Sequence, residues 1–299
     1  MSPVSAADSG SATHEILTAP DGGRFNLTRV IPARPRAAVV MLPGMFTGRR
    51  FWLSDQGVGL AAFLAAAGFA VYVVERRGVG ATRDDAGTGR AGFTEHLQHD
   101  LPLVQSLVAQ EQTGPVFWIG HSFGGVLAAR AVATTLHADQ VAGLVLFATQ
   151  FEVGKRGLDF PGNLFARGVA RLLGRVPARW VGLGPEDESP ATMTDAGRMV
   201  ADGRRQPELR EQLGRLTQPT LALVGAGDRV DPPEGCERFI GHFASTDRTF
   251  LRAGTHNGFQ VDFDHPGIVI SKPARAQIWP LVRDWLDARC ATRSASRAG

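Results

Sequence analysis

A chain of 299 residues can bury a full core, as one large domain or as one domain with an insertion. Hydrophobic content of 43 %, charged content of 20 % and a net charge of +3 exclude a disordered or fibrous chain. The positive charge is almost all arginine, Lys155 and Lys272 being the only lysines, and it forms no dense basic stripe with interleaved aromatics, so no nucleic-acid partner is expected. Cys236 and Cys290 make neither a metal pattern nor a disulfide framework. No apolar run is long enough to span a bilayer, and residues 1–13 lack the apolar core of a secretory signal. These observations point to a cytoplasmic protein with no integral membrane association and no bound metal.

In chain order, a flexible N-terminus (1–13) leads to His14–Ala19 and Phe25–Ile31, which flank Asp21-Gly22-Gly23 as a hairpin would. Ala37–Leu42 is wholly apolar, the mark of a strand covered on both faces, and it breaks at Pro43-Gly44-Met45-Phe46-Thr47-Gly48. A helix over about Val58–Ala67 and a second buried strand, Ala70–Val74, follow, ending in Glu75-Arg76-Arg77-Gly78-Val79-Gly80. Glu95–Gln110 has helical spacing, with Pro102 setting its regular start near Asp100. His96, His99 and Asp100 have a metal-like spacing there, but no further ligand is near, and the expectation is a solvated helix face.

Strands at Val116–Ile119 and Val141–Phe147 complete an alternation of strands and helices that predicts a parallel sheet. The alternation stops at 150. Residues 151–214 read as a helical cap insertion, with helices near Asn163–Leu173 and Met193–Gly203. Its apolar residues (Phe160, Leu164, Phe165, Leu172, Leu173, Trp180, Val181) are expected to line the entrance to a site. Strands resume at Thr220–Val224 and Arg248–Leu251, and an amphipathic helix over Ala274–Leu286, kinked at Pro280, closes the chain. The α/β core is therefore 14–150 and 215–290, with a flexible tail at 291–299.

Val116–Leu127 carries the chemistry. A buried strand, Gly120-His121-Ser122-Phe123-Gly124 and an alanine-rich helix succeed one another without a spacer. A serine on so sharp a turn takes a strained backbone conformation, and side chains two residues away on either side would collide. Glycine at 120 and 124 removes those collisions and leaves Ser122 exposed above the sheet. Neighbouring residues on such a turn point apart, so His121 reads as structural, with a substrate contact as the alternative role.

A serine hydroxyl needs a base oriented by a carboxylate, and in this architecture the order is Ser, acid, His. Asp228, in Val224-Gly225-Ala226-Gly227-Asp228, sits directly past an apolar strand. Asp231 competes with it but heads the next helix and looks like its cap. His256 and His265 both follow on the loop after the last strand, and position slightly favours His256.

The chain resembles the α/β-hydrolase superfamily from Ala37 to Leu286, and most of all its lipase, lysophospholipase and acyl-esterase branch. The carrying residues are Leu42-Pro43-Gly44-Met45-Phe46, Glu75–Gly80, Trp118–Gly125, Gly225–Asp228 and Asp262-Phe263-Asp264-His265 running into Ser271, Ala274 and Trp285. The resemblance implies a mostly parallel sheet flanked by helices and capped by a helical insertion. It moves the base to His265, with Ser122 as nucleophile and Asp228 as acid. Acyl transfer also needs two backbone donors for an oxyanion: the Phe123 amide follows the nucleophile, and the resemblance places the second at Met45. The side chains of Met45 and Phe46 are then expected to wall the acyl pocket. The implied protein is a cofactor-free serine hydrolase acting on a small-molecule acyl ester. A peptidase, an acyltransferase and a non-catalytic binding homologue are the alternatives, and the oligomeric state is open. Dehalogenases would need a carboxylate where Ser122 stands, and polymer synthases a cysteine.

Overall fold

Runs with no charged side chain become the central strands. Ala37–Leu42 (β3) and Phe69–Val74 (β4) are buried at every residue, which only a sheet covered on both faces allows. The computed structural model describes residues 11–298 except 155–157, 159–160 and 181. With Thr13–Thr18 (β1), Arg24–Val30 (β2), Val116–His121 (β5), Val141–Phe147 (β6), Thr220–Gly225 (β7) and Arg248–Ala253 (β8), they form one sheet of order β1-β2-β4-β3-β5-β6-β7-β8. The β1–β2 hairpin is antiparallel and β2 meets β4 antiparallel; every pairing from β4 onward is parallel.

Alternate residues divide the core. Ala38, Val40 and Leu42 face one layer, with Val104 and Val108 of α2 (Leu101–Glu111), Val126 and Ala129 of α3 (Phe123–Thr134) and, further along the chain, Phe239. Ala37, Val39 and Met41 face the other, with Leu60 and Leu64 of α1 (Leu60–Ala66) and Ile278 and Val282 of the last helix. Each such aliphatic side chain contributes about 1.5–3 kcal/mol by leaving water. No described helix is long and apolar enough to cross a membrane.

Residues 96–100 are not a solvated face. They form one π-helical turn leading into α2, with Pro102 tolerated in that helix's first turn. His96 and Asp100 are buried under the end of β4, where Arg77 explains why two polar groups can be there. Arg77 Nη2 reaches Asp100 Oδ1 at 2.6 Å and Asp21 Oδ1 at 2.7 Å, while Asp100 Oδ2 meets His96 Nδ1 at 3.0 Å. The hydrogen bond from Arg77 draws the Asp21 carboxyl down to about 2, and burial pushes the His96 imidazole down. This network ties the β1–β2 turn to the C-terminal end of β4.

Between β6 and β7 lie α4 (Gly162–Leu173), α5 (Pro190–Arg205) and α6 (Glu208–Leu213). Phe160 and Val181 lie outside the described residues, as do residues 1–10. The rest of the apolar set lies at the surface. Phe165 is 78 % exposed, Leu172 85 % and Trp180 86 %, while small Ala170 on the opposite side of α4 is fully buried. After α7 (Pro233–Gly241) and β8, the closing helix α8 (Lys272–Ala298) continues well past Cys290, where the sequence suggested a loose tail.

Candidate active site

All three non-glycine residues with positive φ among the described residues sit at the C-terminal edge of the central strands: Phe46 (59°), Ser122 (54°) and Ala148 (46°). Each such conformation costs about 1–3 kcal/mol, and such residues cluster where a site needs them. At Ser122 the chain leaves β5 and enters α3 with no spacer. The turn is so tight that a Cβ on Gly120 would lie 2.4 Å from Gly125 Cα, and one on Gly124 2.4 Å from the Leu42 carbonyl oxygen. Both obstacles are backbone, so no side-chain adjustment could relieve them.

The Asp228 turn and the His265 loop are stitched together by backbone. The Gly227 amide donates to the Phe263 carbonyl at 3.0 Å, and Phe263 is itself buried. Two residues on, His265 Nδ1 meets Asp228 Oδ2 at 2.8 Å. His121 Nε2 donates to the His265 carbonyl at 3.0 Å, and its ring lies between those of Phe51 (4.4 Å) and His265 (4.5 Å). His121 is thus a buried support of the His265 loop. His256 is exposed, on a short helical turn that Asp262 holds from its carboxylate through the Thr255 amide at 2.7 Å.

Asp231 is not the helix cap suggested by the sequence. Helix α7 begins behind Pro232 with no side-chain cap, and the Asp231 carboxylate turns into the site. Ser122 Oγ donates to Asp231 Oδ2 at 3.0 Å. Asp231 Oδ1 accepts from Gln150 Nε2 at 2.6 Å, and the Asp231 amide donates to Asp228 Oδ1 at 2.8 Å. Asp228 therefore serves two masters, one oxygen on His265 and one on the turn that presents Asp231. Gln150 was not singled out in the sequence; its signal is its place just past a parallel strand, where such sheets gather ligand groups.

The loop after β3 is fixed from the insertion. Gly44 lies against Ser122, a Cβ there being 3.1 Å from Ser122 Cβ. Arg76 Nη1 donates to the carbonyls of Pro43 (3.1 Å) and Gly44 (2.9 Å), and its Nη2 pairs with Glu188. Glu188 Oε1 also accepts the Phe46 amide at 2.7 Å, and the Glu186 amide donates to the Phe46 carbonyl at 3.0 Å. Met45 and Phe46 pack on Ala170, Val176 and Met193. Burial pushes the Glu188 carboxyl up, against the pull of Arg76. No sequence signal joins residues 76 and 188, which are far apart and of ordinary type.

Both partners of this pair are under 4 % exposed, so removing one strands a buried charge. Glu188→Ala should lower the unfolding free energy by about 3–5 kcal/mol, whereas Glu188→Gln, which keeps an acceptor for the Phe46 amide, should lose less. Urea denaturation of the two variants checks this, and equal losses would show that the missing charge, and not the missing acceptor, sets the cost.

A family model described as "Serine aminopeptidase, S33" (Hydrolase_4) matches residues 33–206, more than half of the chain. The chain belongs to that family of α/β-hydrolases. Solved structures of low identity share its fold. A monoacylglycerol lipase from Paleococcus ferrophilus is 19 % identical with a TM-score of 0.63, over 89 % of this chain and 99 % of the lipase. A soluble variant of monoglyceride lipase from Saccharomyces cerevisiae, in complex with a substrate analogue, is 17 % identical with a TM-score of 0.68, over 94 % and 96 %. A thermophilic esterase from Thermogutta terrifontis is 20 % identical with a TM-score of 0.63, over 93 % and 99 %. One curated relative, the poly(3-hydroxyalkanoate) polymerase subunit PhaC of Haloferax mediterranei, is 31 % identical over 80 residues, which are 27 % of this chain and only 15 % of that protein. The protein has the α/β-hydrolase fold.

Proposed function

We propose that this hydrolase cleaves a carboxylic ester through an acyl-enzyme formed on Ser122, with no cofactor. The observation that carries the reading is the strained Ser122 turn beside a His265–Asp228 pair 2.8 Å apart. With Nδ1 bound to a carboxylate, that nitrogen holds the ring proton and Nε2 is free to act as base. Ser122 swings from Asp231 to Nε2, gives up its proton and attacks. The oxyanion is held by the amides of Phe123 and Met45; the Phe46 amide is already committed to Glu188. His265 then protonates the leaving alkoxide, and a water activated in the same way releases the acid. Residues 151–214 act as a cap over this edge, and the apolar packing of Met45 and Phe46 against Ala170, Val176 and Met193 supports an apolar acyl substrate.

The family description favours one competing reading, a peptidase. The relative that is a polymerase subunit does not favour polymer synthesis here, since a serine stands at 122 where such an enzyme carries cysteine. A fluorophosphonate probe followed by peptide mapping, with parallel assays on p-nitrophenyl esters and p-nitroanilides, tests the reading. One label on the Ser122 peptide and turnover of esters over anilides are expected. A label elsewhere would remove Ser122 as nucleophile, and faster anilide cleavage would make the protein a peptidase.

A further inference from the structure

The loop after β3 is held one peptide at a time, and one group in it is left over. Arg76 Nη1 donates to the carbonyls of Pro43 (3.1 Å) and Gly44 (2.9 Å), and Thr47 Oγ1 gives the Gly44 carbonyl a second donor at 2.9 Å. Glu188 accepts the Phe46 amide at 2.7 Å, and the Glu186 amide donates to the Phe46 carbonyl at 3.0 Å. Between these anchored groups, the Met45 N–H has no hydrogen-bond partner among the described residues.

Its direction follows from its neighbours. A peptide unit is planar and trans, so its C=O and its N–H point opposite ways. The Gly44 carbonyl and the Met45 N–H belong to one such unit. With that carbonyl gripped by Arg76 and Thr47, the N–H is turned away from both, on a peptide that starts at Gly44, against Ser122. Turning it elsewhere would break both hydrogen bonds of the Gly44 carbonyl. Arg76 is itself immobilised: it is buried, its Nη2 is paired with buried Glu188, and its Cζ lies 5.7 Å from the centre of the Phe93 ring. Phe93 packs in turn on Phe123, the residue of the other proposed oxyanion donor, with ring centroids 5.5 Å apart. Arg76 leaves the end of β4 and Glu188 belongs to the insertion, so core and insertion grip this loop together.

We propose that Arg76 and Glu188 are positioning residues that aim the Met45 N–H at the developing oxyanion, so that the insertion completes the oxyanion hole. A donor held in place beforehand needs no reorganisation when charge develops, and its misdirection weakens the transition state far more than substrate binding. This rests on the ester-hydrolase reading above.

Arg76→Lys and Glu188→Gln test it. Lysine keeps a charge opposite Glu188 but loses the fork that spans both carbonyls and the carboxylate. Glutamine keeps an acceptor for the Phe46 amide and loses the charge that holds Arg76; it is the milder change and decides the matter alone should Arg76→Lys not fold. The readouts are hydrolysis of p-nitrophenyl butyrate, per active site titrated with the fluorophosphonate, and inhibition by trifluoromethyl pentyl ketone. Ser122 Oγ bonds to the ketone carbon, its proton passes to His265, and the carbonyl electron pair moves onto oxygen, so this inhibitor reports the oxyanion hole. Expected is a fall in kcat of at least about 30-fold in Arg76→Lys and about fivefold in Glu188→Gln, with KM within about threefold of the wild type. The inhibition constant of the ketone should rise by the same factors as kcat falls. A folded variant with unchanged kcat, or one whose kcat falls while its affinity for the ketone stays, overturns the inference alone. No ester turnover by the wild-type protein, with Ser122 unlabelled, overturns the reading beneath it.

Discussion

Ser122→Ala should reduce ester turnover by at least about 10⁴-fold and abolish fluorophosphonate labelling, with the fold intact. Alanine removes the hydroxyl but adds no bulk to a turn whose limits are set at residues 120 and 124. The hydrogen bond to Asp231 is lost as well, which leaves that carboxylate without one donor and should lower stability by about 1–3 kcal/mol. The positive φ of 54° is also no easier for alanine than for serine, so the strain stays. Thermal unfolding and turnover of the purified variant separate the two effects. A folded variant that keeps more than about a hundredth of the wild-type rate would show that the nucleophile is another group.

Much of the fold was legible because it is written locally. Wholly apolar runs such as Ala37–Leu42 are strands covered on both faces whatever else the chain does, and the glycines at 120 and 124 announce a turn through backbone clearance alone. Charge partnerships were not legible. Arg76 and Arg77 are adjacent in sequence, yet one binds Glu188 of the insertion and the other Asp100 and Asp21, a division set by which way each side chain leaves the end of β4. Asp231 was misread for a similar reason. An acidic residue ahead of a helix usually caps it, but here Asp228 holds the Asp231 amide and Gln150 holds its carboxylate, so the side chain is drawn into the sheet edge. Nor does a count of apolar residues say which of them the insertion leaves at the surface, as it does Phe165, Leu172 and Trp180.

His265→Ala should cut kcat by at least about a thousandfold, while His256→Ala stays within about tenfold of the wild type. Spacing after β8 slightly favours His256, but its loop is anchored elsewhere: Asp262 binds the Thr255 amide and hydroxyl, and residue 256 faces solvent. The 263–265 segment lies instead against the Asp228 turn, through the Gly227 amide on the Phe263 carbonyl and the His121 ring on the His265 carbonyl. Asp228 thereby fixes one ring nitrogen of His265, and the side chain is only 16 % exposed. The two variants also part in stability. His265→Ala leaves the buried Asp228 with only the amides of residues 230 and 231, and a modest loss in unfolding free energy accompanies the fall in rate. His256→Ala touches an exposed ring and should leave stability within about 0.5 kcal/mol. Steady-state kinetics and urea denaturation of both proteins decide the matter. A thousandfold loss in His256→Ala with near-normal turnover in His265→Ala would transfer the base to residue 256 and require the loop to rearrange around Asp262 before catalysis.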